Sequence, residues 1–453
     1  MFFRNAKISL ILAMSLFSFQ WLVLEGRLVQ AMPPVQRRVV SNGLVVLFSQ
    51  DHSLPMVTVQ LLIDAGSRKD PSGQEGLAHL TAKGLLLGTS KRPVTTMNEE
   101  LDFMGASLDV SINRDYVTLG LRVLKKYLDE GFDIFCDVLT QPTFPEEEIQ
   151  REIQKTLAAI KSAEEDPAEV AEKAFRSTLF MDTPYGHSVE GAKASLSKLN
   201  REDIVRFYST HYHANSAILA IVGDITGDEV TEKVVPSLTK WARGIIPDEL
   251  FTVTFAQGPK TVKINREITQ ANIILGHKGV NRQDPGYYAM TVMNYILGGG
   301  GFGSRLMDEI RVKRGLAYSV ASLFVTGKYP GSFQIVLQTK NESAREAISL
   351  VLDQIERIQR NMVSEQDLET AKKYLTGSFP LRLDTQAELA EFVTQMEYFG
   401  LGLDYPEKYP SLIRAISRED VLRVAKAHLH PDNYVLVIVG NLKKAGVKGS
   451  MNQ

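Results

Sequence analysis

Two pairs of histidines are the residues whose spacing first suggests metal chemistry. His211 and His213 are separated by one residue, and so are His428 and His430. Imidazole nitrogens are common zinc ligands, but residues two positions apart do not share one face of a helix. Because the same pair recurs in two parts of the chain, we interpret it as a structural feature, with metal binding as the alternative.

Two short acidic runs could also carry chemistry, because carboxylates act as ligands and as general bases. They lie at 146–148 and 164–165, within a segment whose composition favours helix. Runs of like charge on a helix are typical of a face turned to solvent. We therefore expect these glutamates to be solvated.

The histidine pairs belong to an internal repeat. Residues 200–225 read NREDIVRFYSTHYHANSAILAIVGDI, residues 417–442 read SREDVLRVAKAHLHPDNYVLVIVGNL, and the segments align without a gap at an offset of 217 residues. In each copy, Asn or Ser before an acidic first turn is typical of a helix N-cap. The apolar run that ends in glycine predicts a buried strand. The sequence therefore indicates two related halves.

Each half also opens with strand patterns and continues with long helical patterns. Strand patterns at 43–50 and 56–66 have counterparts at 260–267 and 271–279, and a long helical pattern occupies 146–180. Strands and several long helices without regular alternation are typical of α+β layers. We predict an α+β fold of two homologous halves, each a mostly antiparallel sheet with helices packed on one face.

The first thirty-odd residues differ from the rest of the chain. Arg4 and Lys7 precede an apolar run at 8–19, and small residues occur before Ala31. This pattern predicts a signal peptide over residues 1–31, cleaved after Ala31, with an uncleaved membrane anchor as the alternative. Export would place the mature chain in a bacterial periplasm.

The overall composition excludes some functions. The 453 residues carry 51 basic and 53 acidic side chains, so no whole-chain field favours nucleic acid or a membrane surface. Cys136 is the only cysteine, which excludes an intrachain disulfide. The length allows two domains, which we place at 32–245 and 246–453.

Three segments resemble the family of pitrilysin, insulin-degrading enzyme and mitochondrial processing peptidase. They read GSRKDPSGQEGLAHLTAKGLLLGTSKRP from residue 66, DTPYGHSVEG from residue 182, and GGGGFGSRLMDEIRVKRGLAYSV from residue 298. With the repeat, the resemblance extends over residues 37–442. It implies that both domains have the fold of these zinc peptidases.

The first of these segments departs from the motif of active members. They carry His-x-x-Glu-His on a helix, in which the histidines bind zinc and the Glu is the general base. The matching residues here are His79, Ala82 and Lys83, and the family's third ligand matches Ala158 or Ala159. One ligand of three remains, so the resemblance implies a degenerate site without zinc, where His79 serves packing.

The third segment keeps the residues that family members use on substrate. We predict a helix over 304–314, a C-cap at Gly315 and then a strand. The resemblance implies that Arg311 and Tyr318 are brought together to donate hydrogen bonds to a peptide carbonyl. Without the resemblance, a helix-end Arg and a strand Tyr would have ordinary structural roles. Arg314 is the less favoured neighbour.

A run of glycines precedes this helix. It consists of Gly298, Gly299, Gly300, Gly301 and Gly303. No Lys-Ser/Thr pair follows, so the run does not match a phosphate-binding loop. The resemblance implies a substrate-binding loop, and a flexible connection between helices is the alternative.

These observations lead to one functional hypothesis and one alternative. The resemblance implies a subunit that binds no cofactor, is inactive alone, and gives Arg311 and Tyr318 in trans to a peptide or unfolded protein. A homologous partner would supply zinc and the general base, so that the two chains form a heterodimeric metallopeptidase. The alternative is a peptide-binding or assembly module without any role in hydrolysis.

Overall fold

A six-stranded sheet forms the first half. Its strands are β1 Gln36–Val39, β2 Val45–Gln50, β3 Met56–Ile63, β4 Ser107–Ile112, β5 Val117–Leu124 and β6 Ala217–Gly223. They lie in the order β1-β2-β6-β3-β5-β4, and the β2–β6 pair is parallel while the other pairs are antiparallel. The computed structural model describes residues 32–247 and 252–446, so the predicted signal peptide lies outside the described residues.

A five-stranded sheet forms the second half and repeats this topology. Its strands are β7 Lys260–Asn265, β8 Gln270–Lys278, β9 Ala317–Val325, β10 Ser332–Lys340 and β11 Val435–Gly440. In the order β7-β11-β8-β10-β9 the first pair is parallel and the others are antiparallel. This order matches β2-β6-β3-β5-β4 strand for strand, which confirms the α+β fold of two homologous halves.

Helices follow the strands in both halves. In the first half those of eight or more residues are α1 Leu77–Gly84, α2 Val94–Met104, α3 Leu128–Thr140, α4 Glu146–Ala163, α5 Pro167–Phe180 and α6 Arg201–His211. In the second half they are α7 Tyr287–Asn294, α8 Ala344–Arg360, α9 Glu365–Gly377, α10 Gln386–Tyr398, α11 Tyr405–Arg414 and α12 Arg418–His428. Among the described residues, none of the helices is both long enough and apolar enough to cross a membrane.

The repeated segment forms the same local structure twice. Asn200 caps α6, where its side chain accepts from Asp203 N at 3.0 Å, and Asp203 accepts in turn from Asn200 N at 3.2 Å. Ser417 and Asp420 form the same reciprocal pair at the start of α12, at 3.1 and 3.0 Å. The predicted caps and the predicted helix ends at the histidines are therefore confirmed.

The helical pattern at 146–180 forms two helices, α4 and α5. Asp166 separates them, and its carboxylate accepts from Ala168 N at 2.8 Å as the N-cap of α5. Pro167 occupies the first position of α5, where it has no N–H to leave unpaired. Because the chain breaks here, α5 can turn away from the helices of the first half and pack elsewhere.

Each sheet is covered in part by a helix from the other half. α5 packs against β8 and β11 of the second sheet, while α10 packs against β3 and β6 of the first. On α5, Ala171, Phe175 and Leu179 form one buried cluster with Ile274 and the odd-numbered valines of β11. The exchange interlocks the halves through apolar contacts that neither half can make alone.

Polar contacts reinforce the exchange. Asp64 at the end of β3 accepts from Lys328 Nζ at 2.9 Å and from the Tyr398 hydroxyl at 3.0 Å, both from the second half. Arg37 and Glu397 form a further ion pair at 2.8 Å. The two halves are therefore joined by specific polar and apolar contacts, which fix the residues that line any cleft between them.

Candidate functional site

Helix α1 carries the first site, and a buried carboxylate fixes its start. Asp70 accepts from Gly76 N at 2.8 Å and from Ala78 N at 2.7 Å. The loop that ends at Gly191 packs against the same helix end, because a Cβ at Gly191 would lie 2.1 Å from the Glu75 carbonyl oxygen. The first two segments of the family resemblance thus build one structural unit.

The capping carboxylate gives a testable pH dependence. Burial raises the pKa of Asp70 to about 7, above its usual 3.8. The stability contributed by the protonated carboxyl is then fully present below about pH 4, falls by about 1.4 kcal/mol per pH unit as pH rises from there, and is lost once pH has risen through about 7. Urea unfolding at several pH values should show this loss in the wild type and not in Asp70→Asn. An equal slope in both proteins would contradict the assignment.

The residues at the family's zinc positions do not suit a metal ion. His79 is half-buried, and its Nδ1 has no hydrogen-bond partner within the part of the chain that the structure describes. Burial lowers the pKa of His79. Ala82 is fully buried, and the Lys83 ammonium donates to the Val110 carbonyl at 3.3 Å. The Lys83 ammonium occupies the position of the second zinc ligand and already donates to a carbonyl. His79, Ala82 and Lys83 together therefore do not fit a zinc ion.

The rest of the described chain also lacks a candidate metal site. Within 32–247 and 252–446 there is no group of three or more His, Cys, Asp or Glu side chains that could hold a metal ion. His211 is buried and packs at a tilted angle against Phe207, with ring centroids 4.5 Å apart. His277 Nε2 accepts from His430 N at 3.1 Å. The His430 ring lies edge-on to His277 with centroids 4.8 Å apart, so one histidine of each pair has a packing partner, in keeping with the structural interpretation.

Helix α4 supplies the neighbouring wall of this site. Ala158 and Ala159 are both exposed, whereas Glu152 and Thr156 are buried. Helix α4 packs against α1, and the negative charge of Glu152 partly opposes the lowering of the His79 pKa by burial. Ala159 lies two helical turns beyond Glu152 and shares its face of α4. Ala158 points about 100° away from Ala159 around the helix axis. We therefore expect Ala159, rather than Ala158, to match the family's third ligand.

A ligand graft tests this assignment. With His79 present, Lys83→His together with Ala159→Glu supplies three ligands on facing helices, so this variant should retain about one zinc per chain after dialysis. The matched variant Lys83→His/Ala158→Glu should retain almost none, because its carboxylate points elsewhere. Metal analysis of both proteins decides, and equal zinc content in the two would contradict the match.

The acidic runs at 146–148 and 164–165 are largely solvated, as expected. Glu146 and Glu147 are exposed in the first turn of α4, and Glu164 and Glu165 are exposed at its end. The placement of Glu146 and Glu147 near the N-terminus of α4 also suits the helix dipole. The burial of Glu152 could not be predicted from the sequence, because it results from the packing of α4 on α1.

The segment that carries Arg311 is shorter than predicted and partly π-helical. The π-helix spans Met307–Val312, and β9 begins at Ala317. The helix predicted over 304–314 is present at 305–312, and residues 313–314 form a turn in which Gly315 N donates to Arg311 O at 2.9 Å. Gly315, with φ of 62°, turns the chain into the strand as predicted.

Arg311 and Tyr318 both face solvent. The Arg311 guanidinium lies 5.1 Å from the ring centroid of Phe302, and no ion pair to it occurs among the described residues. Tyr318 is 50% exposed on β9, an edge strand. No hydrogen bond or ring contact joins the two side chains in the described part of the chain, so their joint action on one carbonyl remains a prediction.

The neighbouring cations are already engaged. Arg314 Nη1 bonds to the Glu309 carboxylate at 2.6 Å and to its carbonyl at 2.7 Å. Lys313 Nζ contacts Asp308 at 2.7 Å and Glu309 at 2.6 Å. Arg311 is therefore the arginine of this segment whose guanidinium is available to an outside group.

Most of the glycine run has structural reasons for lacking side chains. A Cβ at Gly298 would lie 2.6 Å from Ser322 N, and one at Gly300 would lie 2.7 Å from Tyr295 O. Gly299 is similarly close to Asn294, and Gly301 has φ of 57°. Gly303 has open space around it. Substrate binding by this loop stays a prediction, and Phe302 is the exposed side chain that it presents.

Comparison with known proteins identifies relatives of both halves. Residues 45–193 match the family described as insulinase (peptidase family M16), and residues 198–375 match the peptidase M16 inactive domain. The non-peptidase homolog YmxG of Helicobacter pylori is 28% identical over 400 residues, covering 88% of this chain and 92% of that protein. An uncharacterized zinc protease of Streptomyces coelicolor is 27% identical, with 86% of each chain covered.

Solved structures share the fold. A crystal structure of a peptidase M16 inactive domain from Pseudomonas fluorescens superposes with a TM-score of 0.83 at 28% identity, covering 90% of this chain and 98% of that chain. A protease from Helicobacter pylori has the same TM-score at 18% identity, which shows the fold alone. A probable mitochondrial-processing peptidase subunit beta from Arabidopsis thaliana is 25% identical and covers 91% of this chain and 79% of that protein.

Proposed function

The chain belongs to the M16 peptidase family as an inactive member without the family's zinc ligands, and on that premise we propose that it is one subunit of a two-chain metallopeptidase. A homologous partner would contribute the zinc and the general base. This chain would contribute Arg311 and Tyr318 to the bound peptide. The assembly would act on peptides or unfolded protein segments.

The observation that carries this proposal is the contrast between the two sites. At the first, Lys83 is bonded to Val110 O and Ala82 is buried, so neither metal nor base has a place. At the second, Arg311 and Tyr318 stand exposed while Lys313 and Arg314 are neutralised by acidic neighbours. Arg311 and Tyr318 are therefore exposed donors that could contact a peptide bound between this chain and a second one, whereas Lys313 and Arg314 are already paired.

The chemistry of the pair suits a developing oxyanion. A guanidinium and a phenol donate hydrogen bonds, and both can be aimed at a carbonyl oxygen as negative charge builds on it. Bound zinc in the partner would polarise the same peptide bond and activate water. A guanidinium carries only N–H donors and no acceptor, so Arg311 would act as a donor throughout the reaction.

The names of relatives support an assembly of this kind without establishing it. One relative is called a non-peptidase homolog, and another is called a subunit of a processing peptidase. A scaffold or peptide-binding module would share the degenerate first site. It would have no use for the exposed Arg311 and Tyr318, which is why we favour the catalytic assembly.

Titration with a partner tests the proposal. A homologous chain with intact His-x-x-Glu-His is held constant, this chain is added, and peptide cleavage is followed. We expect cleavage to rise and to saturate near one chain per partner. If the partner alone cleaves as fast as the mixture, the proposal is wrong. If a stable complex forms without added cleavage, the scaffold function takes its place.

We also propose a periplasmic location, because residues 1–31 have the composition of an export signal. Fractionation of cells and determination of the mature N-terminus test this directly. A periplasmic protein that begins at Met32 is the expected result. A protein that retains Met1 in the membrane fraction would instead indicate an uncleaved anchor.

A further inference from the structure

A cavity of about 680 Å³ lies between the two halves and is separate from both sites described above. The turn between β4 and β5 and helix α5 form one side, and α10 and α11 form much of the other. Aromatic rings line the second-half wall, among them Tyr287, Phe392, Tyr405 and Tyr409. The cavity is large enough for several side chains of a peptide.

Arg176 on α5 lines this cavity with an incompletely bonded guanidinium. The residue is 6% exposed, and its Nε is buried without a hydrogen-bond partner in the described part of the chain. Nη2 donates to the Tyr185 carbonyl at 3.3 Å, and Nη1 lies 3.6 Å from a Glu172 carboxylate oxygen. Buried donors that lack an acceptor are costly and rare in native proteins.

Arg114, in the turn between β4 and β5, also lines the cavity. Its Nε is buried, and within the described residues no hydrogen bond or ion pair to its guanidinium is formed. Burial lowers the pKa of Arg114. For Arg176, burial and then the like charge of Arg114 lower the pKa to about 10. Both arginines line the same cavity, so an anion bound there would be stabilised by the two positive charges together.

The acidic side chains of the cavity are bonded elsewhere. Asp115 accepts from Lys328 N at 2.9 Å and pairs with Arg68 Nε at 3.5 Å. Glu388 caps α10, and Glu391 accepts from Gln395 at 2.9 Å. Glu172 and Glu190 raise the pKa of Arg114 through space without a hydrogen bond to it. The guanidiniums of Arg114 and Arg176 can therefore each donate a hydrogen bond to a further acceptor.

We propose that Arg114 and Arg176 bind a carboxylate of a peptide, and that the aromatic wall holds an adjacent apolar side chain. The planar guanidinium matches a carboxylate by paired hydrogen bonds. The ligand is a peptide rather than an inorganic anion because of the aromatic wall, and this part rests on the proposed function. The carboxylate is supplied either by a peptide C-terminus or by an Asp or Glu side chain.

The position of the pair relates the cavity to the degenerate zinc site. The Arg114 carbonyl accepts from Arg68 N at 3.0 Å, so the turn that carries Arg114 contacts the loop that leads into α1. The loop that contains Glu190 packs on the start of α1. A peptide held by the arginine pair would therefore be anchored beside the helix where active relatives carry zinc.

Binding of labelled peptides to this chain alone tests the inference. One pair of peptides differs in a C-terminal carboxylate against a carboxamide, and a second pair differs in an internal Glu against Gln. We expect one of these changes to weaken binding about tenfold, the loss typical of a hydrogen bond to a charged group. Arg114→Gln and Arg176→Gln should abolish that difference. The control Arg122→Gln, at an exposed position on β5, should preserve it.

The stability of the variants separates binding from a structural role. Without peptide, Arg114→Gln should unfold at the wild-type temperature or above it, because a buried charge without a partner is removed. Equal binding of all four peptides, or an unchanged difference in the arginine variants, would overturn the inference. Binding of inorganic phosphate without peptide discrimination would overturn it too. If Arg176→Gln fails to fold, Arg114→Gln and Arg114→Lys carry the test.

This test is independent of hydrolysis. It needs neither the partner nor zinc, so a negative result leaves the proposed two-chain peptidase standing. Conversely, peptide binding with the expected discrimination but without any gain of cleavage on mixing would leave the arginine site in place and remove the catalytic proposal.

Discussion

Replacement of Arg311 by Ala should lower kcat of the two-chain peptidase by about 100-fold, with little change in KM. Removal of one preorganised donor to an oxyanion typically costs this factor, since the donor acts mainly on the transition state. Tyr318→Phe removes only a hydroxyl and should have an effect of the same kind. Steady-state kinetics with a saturating amount of each variant measures both.

A matched arginine provides the control for this experiment. Arg314 lies three residues away and is bonded to Glu309, so Arg314→Ala should leave kcat within about a factor of two. Size-exclusion chromatography must show that each variant still associates with the partner. Wild-type turnover in an Arg311→Ala/Tyr318→Phe complex would contradict a catalytic role and would favour the scaffold.

Replacement of Phe175 by Ala should reduce the free energy of unfolding by about 3–5 kcal/mol. Phe175 is fully buried on α5, and it packs so closely on β8 that a Cβ at Gly276 would lie 2.7 Å from its Cζ. The lost ring leaves a cavity between α5 and the second sheet, where the two halves interlock. Urea unfolding measures the change.

An exposed phenylalanine gives the comparison. Phe103 is 81% exposed, so Phe103→Ala should change the unfolding free energy by less than about 0.5 kcal/mol. If Phe175→Ala costs no more than Phe103→Ala, the exchange of helices contributes little to stability. Separate unfolding transitions for the halves in Phe175→Ala would further show that α5 couples them.

Local patterns predicted the repeated elements well. Asn200 and Ser417 were recognisable as caps because the acidic residue three positions later completes the capping pair, and β6 and β11 were recognisable from uninterrupted apolar runs. The loss of zinc ligands at Ala82 and Lys83 was evident from the family resemblance. These features depend on neighbours in sequence, or on a motif of fixed spacing.

Features that depend on distant contacts were not predictable. Nothing in the sequence of α5 indicates that it covers the second sheet, because its apolar face would suit either sheet. Glu152, Arg114 and Arg176 look like ordinary charged residues, and only tertiary packing buries them. The π-helix at Met307–Val312 was missed for a related reason, since its sequence is compatible with an ordinary α-helix.

The most direct test of the two-chain peptidase is the metal content and peptidase activity of three samples. These are this chain alone, a homologous chain with intact His-x-x-Glu-His alone, and their equimolar mixture. We predict no zinc and no cleavage for this chain, zinc with little cleavage for the homologue, and fast zinc-dependent cleavage for the mixture. Zinc bound to this chain, or cleavage by the homologue that does not rise on mixing, would contradict the account.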